Sequence, residues 1–206
     1  MPARPDDLNH EALQAAMTSL FDKEGFDSLD FTIYRDKELA PAIKRMSVSL
    51  SPTAKLLRSI ADTTCIHREQ DICFTADYKT NSGEKSNWVI ELEPLFHHLN
   101  EAKSGTQMMY VYKDCRANAA DKVGEVKAIW AKDVPALITA IHIDNSPTRN
   151  RNYRLAMKVS EVVPEFYGFT EGKDAFVVIP NIVLHSLPTP QQLIDELVKG
   201  YRDPAI

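Results

Sequence analysis

The chain has 206 residues, with 44% hydrophobic and 26% charged residues and a formal net charge of −5 at pH 7. Those proportions fit a single globular domain over 1–206 that can bury a core without staples, and they exclude a globally basic nucleic-acid coat while leaving room for a local basic patch. Three cysteines with no CxxC spacing argue against a disulfide framework or a zinc ribbon. No apolar run approaches the length of a membrane span, and the first residues lack a secretory signal stretch. The expectation is therefore a cytoplasmic or nuclear protein, neither secreted nor membrane-bound. GxGxxG, Walker A, GxSxG and HExxH patterns are all absent.

Taken in chain order, Leu13, Ala16, Met17, Leu20 and Phe21 recur at helical spacing, with Gly25 placed to end that helix. Phe31 to Tyr34 suits a short strand. Ser51-Pro52 looks like an N-cap and first helical position, followed by an apolar face of Leu56, Leu57 and Ile60. From Asp71 to Thr80 the pattern alternates, with Ile72, Phe74, Ala76 and Tyr78 on one face and Asp71, Cys73, Thr75, Asp77 and Lys79 on the other. The turn cluster at 81–85 and the apolar stretch from Trp88 to Glu93 predict a second strand, paired with the first as a hairpin. Glu93-Pro94 then opens a helix carrying Leu95, Leu99 and Ala102, and Met108 to Tyr112 predicts another strand.

Further on, Asp133 suits the cap of a helix through Ile141, although Ile141-His142-Ile143 suits a strand equally well. Strands are expected near 153–159, at Ala175–Ile179 and at Ile182–Leu184. The last helix is marked by Thr189, Pro190 and Gln192 at its start and Gly200 at its end. The fold class is α/β or α+β: a central mixed or antiparallel sheet with helices near 8–24, 52–62, 94–103 and 189–200.

One spacing carries chemistry. In the expected hairpin, Asp77 and the pair Glu91 and Glu93, two residues apart on one strand face, would converge on one side of the sheet. Clustered carboxylates suit a hard cation such as Mg²⁺ or Mn²⁺, which can activate water against a phosphodiester. The same residues also suit a solvated strand face with Lys–Glu pairs across it.

Over about residues 52–113 the pattern resembles the PD-(D/E)xK nuclease superfamily. The resemblance implies a metal-dependent nuclease in which Asp77 matches the first acid, Glu91 the second and Glu93 the lysine position. The missing cation would come from Lys79, Lys85 or Lys103. Two positions depart from the family pattern: Ala76 stands where it has proline, and Glu93 where it has lysine. Viral cap-snatching endonucleases of this fold place a metal-binding histidine ahead of their acids, which would make His67 a further ligand here.

Arg149, Arg151, Arg154 and Lys158 fall in a stretch without acids between Asp144 and Glu161, as a grip on a DNA or RNA backbone requires. The alternative function class is a non-catalytic interaction module (an adaptor, inhibitor or assembly component) whose sheet is a scaffold for a protein partner or for a second copy of the chain.

Overall fold

The structure, a computed structural model, describes residues 5–30, 60–81, 87–115, 126–144, 169–172 and 176–202. Helix α1 (Pro5–Lys23) is followed by β1 (Phe26–Asp30), β2 (Thr63–His67), β3 (Cys73–Asn81) and β4 (Trp88–Glu91). Helix α2 (Leu92–Lys103), β5 (Gln107–Asp114), β6 (Val126–Trp130) and a 3₁₀ segment at Ala131–Leu137 come next. Strands β7 (Ala140–Asp144), β8 (Phe169–Gly172) and β9 (Phe176–Ile179), a short α3 (Asn181–Leu184) and α4 (Pro190–Arg202) complete the described elements. None of the described helices is long and apolar enough to cross a membrane.

Two sheets form. The first has the order β1-β2-β3-β5-β6 and the second β4-β9-β7-β8. In the first, β1, β2 and β3 form an antiparallel meander, β3 and β5 run parallel, and β6 returns antiparallel to β5. The mixed α/β class expected from the sequence is what the structure shows.

Each face of the first sheet carries its own core. Alternation along β5 sends Met109 and Val111 one way and Met108, Tyr110 and Tyr112 the other. Against the first face pack Leu13, Met17 and Phe21 of α1, spaced one turn apart, together with Leu193 and Ile194 of α4. Against the second face pack Leu95 and Leu99 of α2, the 3₁₀ segment, and Trp88, Ile141, Val177 and Ile179 of the second sheet.

The expected hairpin does not form. β4 pairs with β9 in the second sheet, while the neighbours of β3 are β2 and β5. The all-apolar core of β5 belongs at the centre of a sheet covered on both faces, and it takes the place beside β3 that the turn cluster at 81–85 had suggested for β4. β4 also ends at Glu91, and Glu93 lies in the first turn of α2. Pro94 is tolerated there because the first-turn N–H groups have no intrahelical acceptor in any case.

Other differences are local. Residues 60–62 are not helical, so the helix expected over 52–62 does not reach its end; residues 52–59 lie outside the described set. Ile182–Leu184 belongs to α3 rather than to a strand, since four residues are too few for either period to show. Ile141 to Ile143 is strand, the second of the two alternatives. The stretches Phe31–Tyr34 and 145–159, including Arg149, Arg151, Arg154 and Lys158, lie outside the described residues.

The start of α4 behaves as its sequence predicts. Thr189 N–H donates to Gln192 Oε1 at 2.7 Å, and Gln192 N–H donates back to Thr189 Oγ1 at 3.3 Å. Replacing Thr189 by alanine is expected to cost about 1 kcal/mol in a urea unfolding series, with an unchanged m-value.

Candidate functional site

Strand β3 places Phe74, Ala76 and Tyr78 in the α1-side core. Asp77 and Lys79 therefore project from the opposite face, the one that α2 and Tyr110 cover. This polar face is largely closed to water: the Asp77 side chain is 12% exposed and that of Lys79 33%. Lys79 Nζ lies 2.7 Å from Asp77 Oδ2. Burial, reinforced by the nearby charge of Asp62, pushes the Asp77 carboxyl above its ordinary range against the pull of Lys79 and His98. Burial also works against the Lys79 ammonium, but Asp77 outweighs it, with Asp62 and Glu91 adding, so Lys79 holds its proton more tightly than a free lysine.

The second acid is Asp62, just before β2. In the β2–β3 register Thr63 faces Ala76, so the next pair outward would set Asp62 opposite Asp77. The Tyr78 backbone N–H donates to Asp62 Oδ2 at 2.8 Å, and His10 Nε2 of α1 lies 3.3 Å from the same oxygen. Burial opposes the charge on Asp62. The hydrogen bonds from His10 and Tyr78, together with the positive charges of His10 and Lys79, overcome it and hold the carboxyl below its ordinary value of 3.8.

A native acid with a lowered pKa stabilises the fold above its unfolded pKa, and that contribution fades as pH falls through the native value. Asp62→Asn is therefore expected to be less stable than the parent at neutral pH. The difference should close below pH 3.8, the ordinary value of the acid. Urea titrations across that window measure it; a gap independent of pH would mean that the charge of Asp62 contributes nothing.

Behind Asp77, Tyr110 is its register partner on β5, and the Tyr110 hydroxyl shares a 2.6 Å hydrogen bond with His98 Nδ1 from α2. Burial, with the charges of Asp77, Glu101 and Glu91 adding, keeps the Tyr110 phenol protonated far above neutral pH. His97, by contrast, lies beside Phe96 with ring centroids 6.1 Å apart.

The residues expected to carry the site are distributed differently from the hairpin picture. Asp77 and Lys79 stand together. Glu91 is exposed at the start of α2, where its charge still reaches Lys79. Glu93, on the helix, does not share a strand face with Glu91. His67 ends β2, five residues and about 16 Å along the strand from Asp62. Its Nδ1 accepts the N–H groups of Glu69 and Gln70, both at 3.1 Å, and its ring packs edge-on against Phe26 and against Gly25. Gly25 has φ +86°, and an added Cβ there would meet His67 Nε2 at 3.2 Å. The His67 ring is thus committed to the turn between β2 and β3.

Asp62 and His10 were missed by sequence reasoning. A signal for the first was present: Asp77-Tyr78-Lys79 is itself an acid-x-lysine triplet on an apolar strand, with Asp62 ahead of it, one residue before the preceding strand. For His10 no local signal exists, since helix packing alone brings it to Asp62.

The donor set suits a small hard cation, because Mg²⁺ is commonly held by one or two carboxylates while keeping several waters. Asp62 and Asp77 would supply the carboxylates. Among the described residues no three of His, Cys, Asp and Glu gather closely enough to enclose an ion. Cys65 is buried, and burial pushes its thiol up to about 12, while Cys73 is exposed and Cys115 partly so.

No protein-family profile matches this chain, and no curated protein matches it. Among solved structures, the chain is similar to Hjc, a Holliday junction resolvase from the archaeal hyperthermophile Archaeoglobus fulgidus, with a TM-score of 0.45 and 6% identity over 90% of this chain and 94% of that one. At that TM-score the two are alike only in outline, and the reading of the site stands on its own side chains.

Proposed function

We propose that the protein is a metal-dependent nuclease whose centre is Asp62, Asp77 and Lys79, acting on a DNA or RNA phosphodiester backbone. The observation that supports this reading is the pair of acids itself: Asp62 just before β2 and Asp77 on the neighbouring β3, with Lys79 2.7 Å from Asp77 in a largely buried site. Asp62 followed by Asp77-Tyr78-Lys79 fits the acid, then acid-x-lysine, order of the PD-(D/E)xK pattern better than Asp77, Glu91 and Glu93 do, because the lysine is present. Asp62 stands one residue before β2, and Asp77 and Lys79 lie on its neighbour β3.

In this reading Asp62 and Asp77 would hold Mg²⁺ or Mn²⁺, and the ion would supply Lewis-acid chemistry toward a phosphodiester. Lys79 offers a charged donor to the attacking water or to a phosphate oxygen. His10 orients Asp62, and Glu91 remains available at the rim. Arg149, Arg151 and Arg154 would grip the backbone, offsetting repulsion between the acids and the phosphates.

The test is incubation of the full chain with single-stranded and duplex DNA and RNA, with Mn²⁺, Mg²⁺ or EDTA. Cleavage that requires the metal is expected in at least one substrate arm. Intact substrates in every arm, together with no Mn²⁺-induced rise in melting temperature, would overturn the proposal.

A further inference from the structure

The sheet face that carries Asp77 continues beyond the acids. Phe74, Ala76 and Tyr78 point into the α1-side core, so Cys73 and Thr75 share the opposite face with Asp77. Across the meander, Thr64 of β2 stands opposite both Thr75 and Leu29, and Ile66 stands opposite Cys73. Leu29 and Ile66, diagonal neighbours on this face, are 50% and 43% exposed. Cys73 is exposed as well, and the two threonines are half-buried. These five side chains form an open shelf that adjoins Asp77 and runs about 13 Å along β3 to Cys73.

Charge and chemistry narrow what the shelf can hold. At its margin Asp27, opposite Ile66, is neutralised by Arg68, whose Nε donates to Asp27 Oδ1 at 2.9 Å. The shelf itself is aliphatic, hydroxyl and thiol, so it gains by covering an apolar surface and gains little from a phosphate. A nucleobase offers such a surface on its face, and the threonine hydroxyls can both donate to and accept from its edge. In a duplex the base faces are hidden in the stack. Only an unpaired strand can lay them on protein.

We propose that the substrate is an unpaired nucleic-acid strand, whose bases beside the cleaved bond lie on Leu29, Thr64, Ile66, Cys73 and Thr75. This rests on the reading of Asp62, Asp77 and Lys79 as a nuclease centre, which places the cleaved bond at one end of the shelf. The bases then face the sheet, and the phosphates on either side of the cleaved bond stay in water, away from the acids.

The test offers one sequence to the full chain as a single strand and as a blunt duplex, in DNA and in RNA. Cleavage is followed with Mn²⁺, and binding by fluorescence anisotropy in EDTA, where nothing is cut. The single strand is expected to be bound and cut about tenfold better than the duplex. Leu29→Thr combined with Ile66→Thr keeps residues suited to strands and removes the apolar area. That variant should raise KM for the single strand about tenfold at a nearly constant kcat, and leave the duplex unaffected. Abasic sites beside the cleaved bond should cost the parent a similar factor and the variant nothing more, because the same contact is already gone. If the double variant fails to fold, Ile66→Thr alone provides the second reading, with a smaller rise in KM. A duplex bound and cut as well as the single strand, or a preference that survives in the folded variant, would overturn this inference and leave the nuclease centre standing. If no arm is cut, the centre fails, and the anisotropy preference and its loss in the variant decide the shelf alone. A dimer in sedimentation that the variant splits would assign the shelf to a second copy of the chain and overturn the proposal.

Discussion

Replacing Lys79 by methionine is expected to lower stability at neutral pH by about 2 to 3 kcal/mol, and adding Asp77→Asn to the same chain should restore most of the loss. The first change leaves a carboxylate that is 12% exposed without the ammonium 2.7 Å from it. Breaking a buried pair on one side typically costs more than its net worth, because the remaining charge has been stripped of water. The expected figure lies below the usual range of about 3 to 5 kcal/mol because a third of the Lys79 side chain still meets solvent. The loss should shrink as pH falls from neutral and Asp77, its carboxyl already held above its ordinary range by burial, takes up a proton and no longer needs a partner. Urea unfolding of both variants over this range measures the effect. A double variant as unstable as Lys79→Met would show that the two side chains do not act as a unit.

In the cleavage assay, Asp62→Asn is expected to slow the metal-dependent reaction roughly 10²-fold or more, the scale seen when a preorganised charged contact to the reacting centre is removed. Glu93→Gln should leave the rate nearly unchanged. The contrast separates two assignments of the same motif. If the acids at 91 and 93 carried the chemistry, the sensitivities would be reversed. If Asp62 and Asp77 carry it, the helical Glu93 is a bystander. Melting temperatures of both variants, with and without Mn²⁺, distinguish a lost ligand from a lost fold, since only a ligand change removes the metal-induced shift.

What was legible in the sequence was whatever depends on neighbours along the chain. The stripe of Leu13, Met17 and Phe21, the alternation from Ile72 to Tyr78, the apolar run of β5 and the capping pair of Thr189 and Gln192 all appear as expected. What was not legible was pairing. A turn-rich linker after β3 favours a hairpin locally, but whether β4 or β5 lies beside β3 depends on which strand can be buried on both faces, and that is settled by the whole sheet. The expectation that Asp77, Glu91 and Glu93 converge rested on that pairing. With β3 taken as the first strand of a hairpin, Asp77 became the first acid of the pattern, and Asp77-Tyr78-Lys79 went unnoticed as an acid-x-lysine triplet. His10 lies 52 positions before Asp62 in the chain, and no spacing rule links the two.

The two indole side chains lie in different layers. Trp88, on β4, packs against Tyr110 and Tyr112 at centroid distances of 6.0 and 5.2 Å, in the layer that joins the two sheets. Trp130, at the end of β6, meets Phe74 at 6.0 Å in the layer beneath α1. The chain therefore carries a separate fluorophore in each half of its interior. Single-tryptophan versions, with phenylalanine at the other position, would let emission follow the melting of each layer independently, revealing whether the second sheet comes away before the meander that holds Asp62 and Asp77.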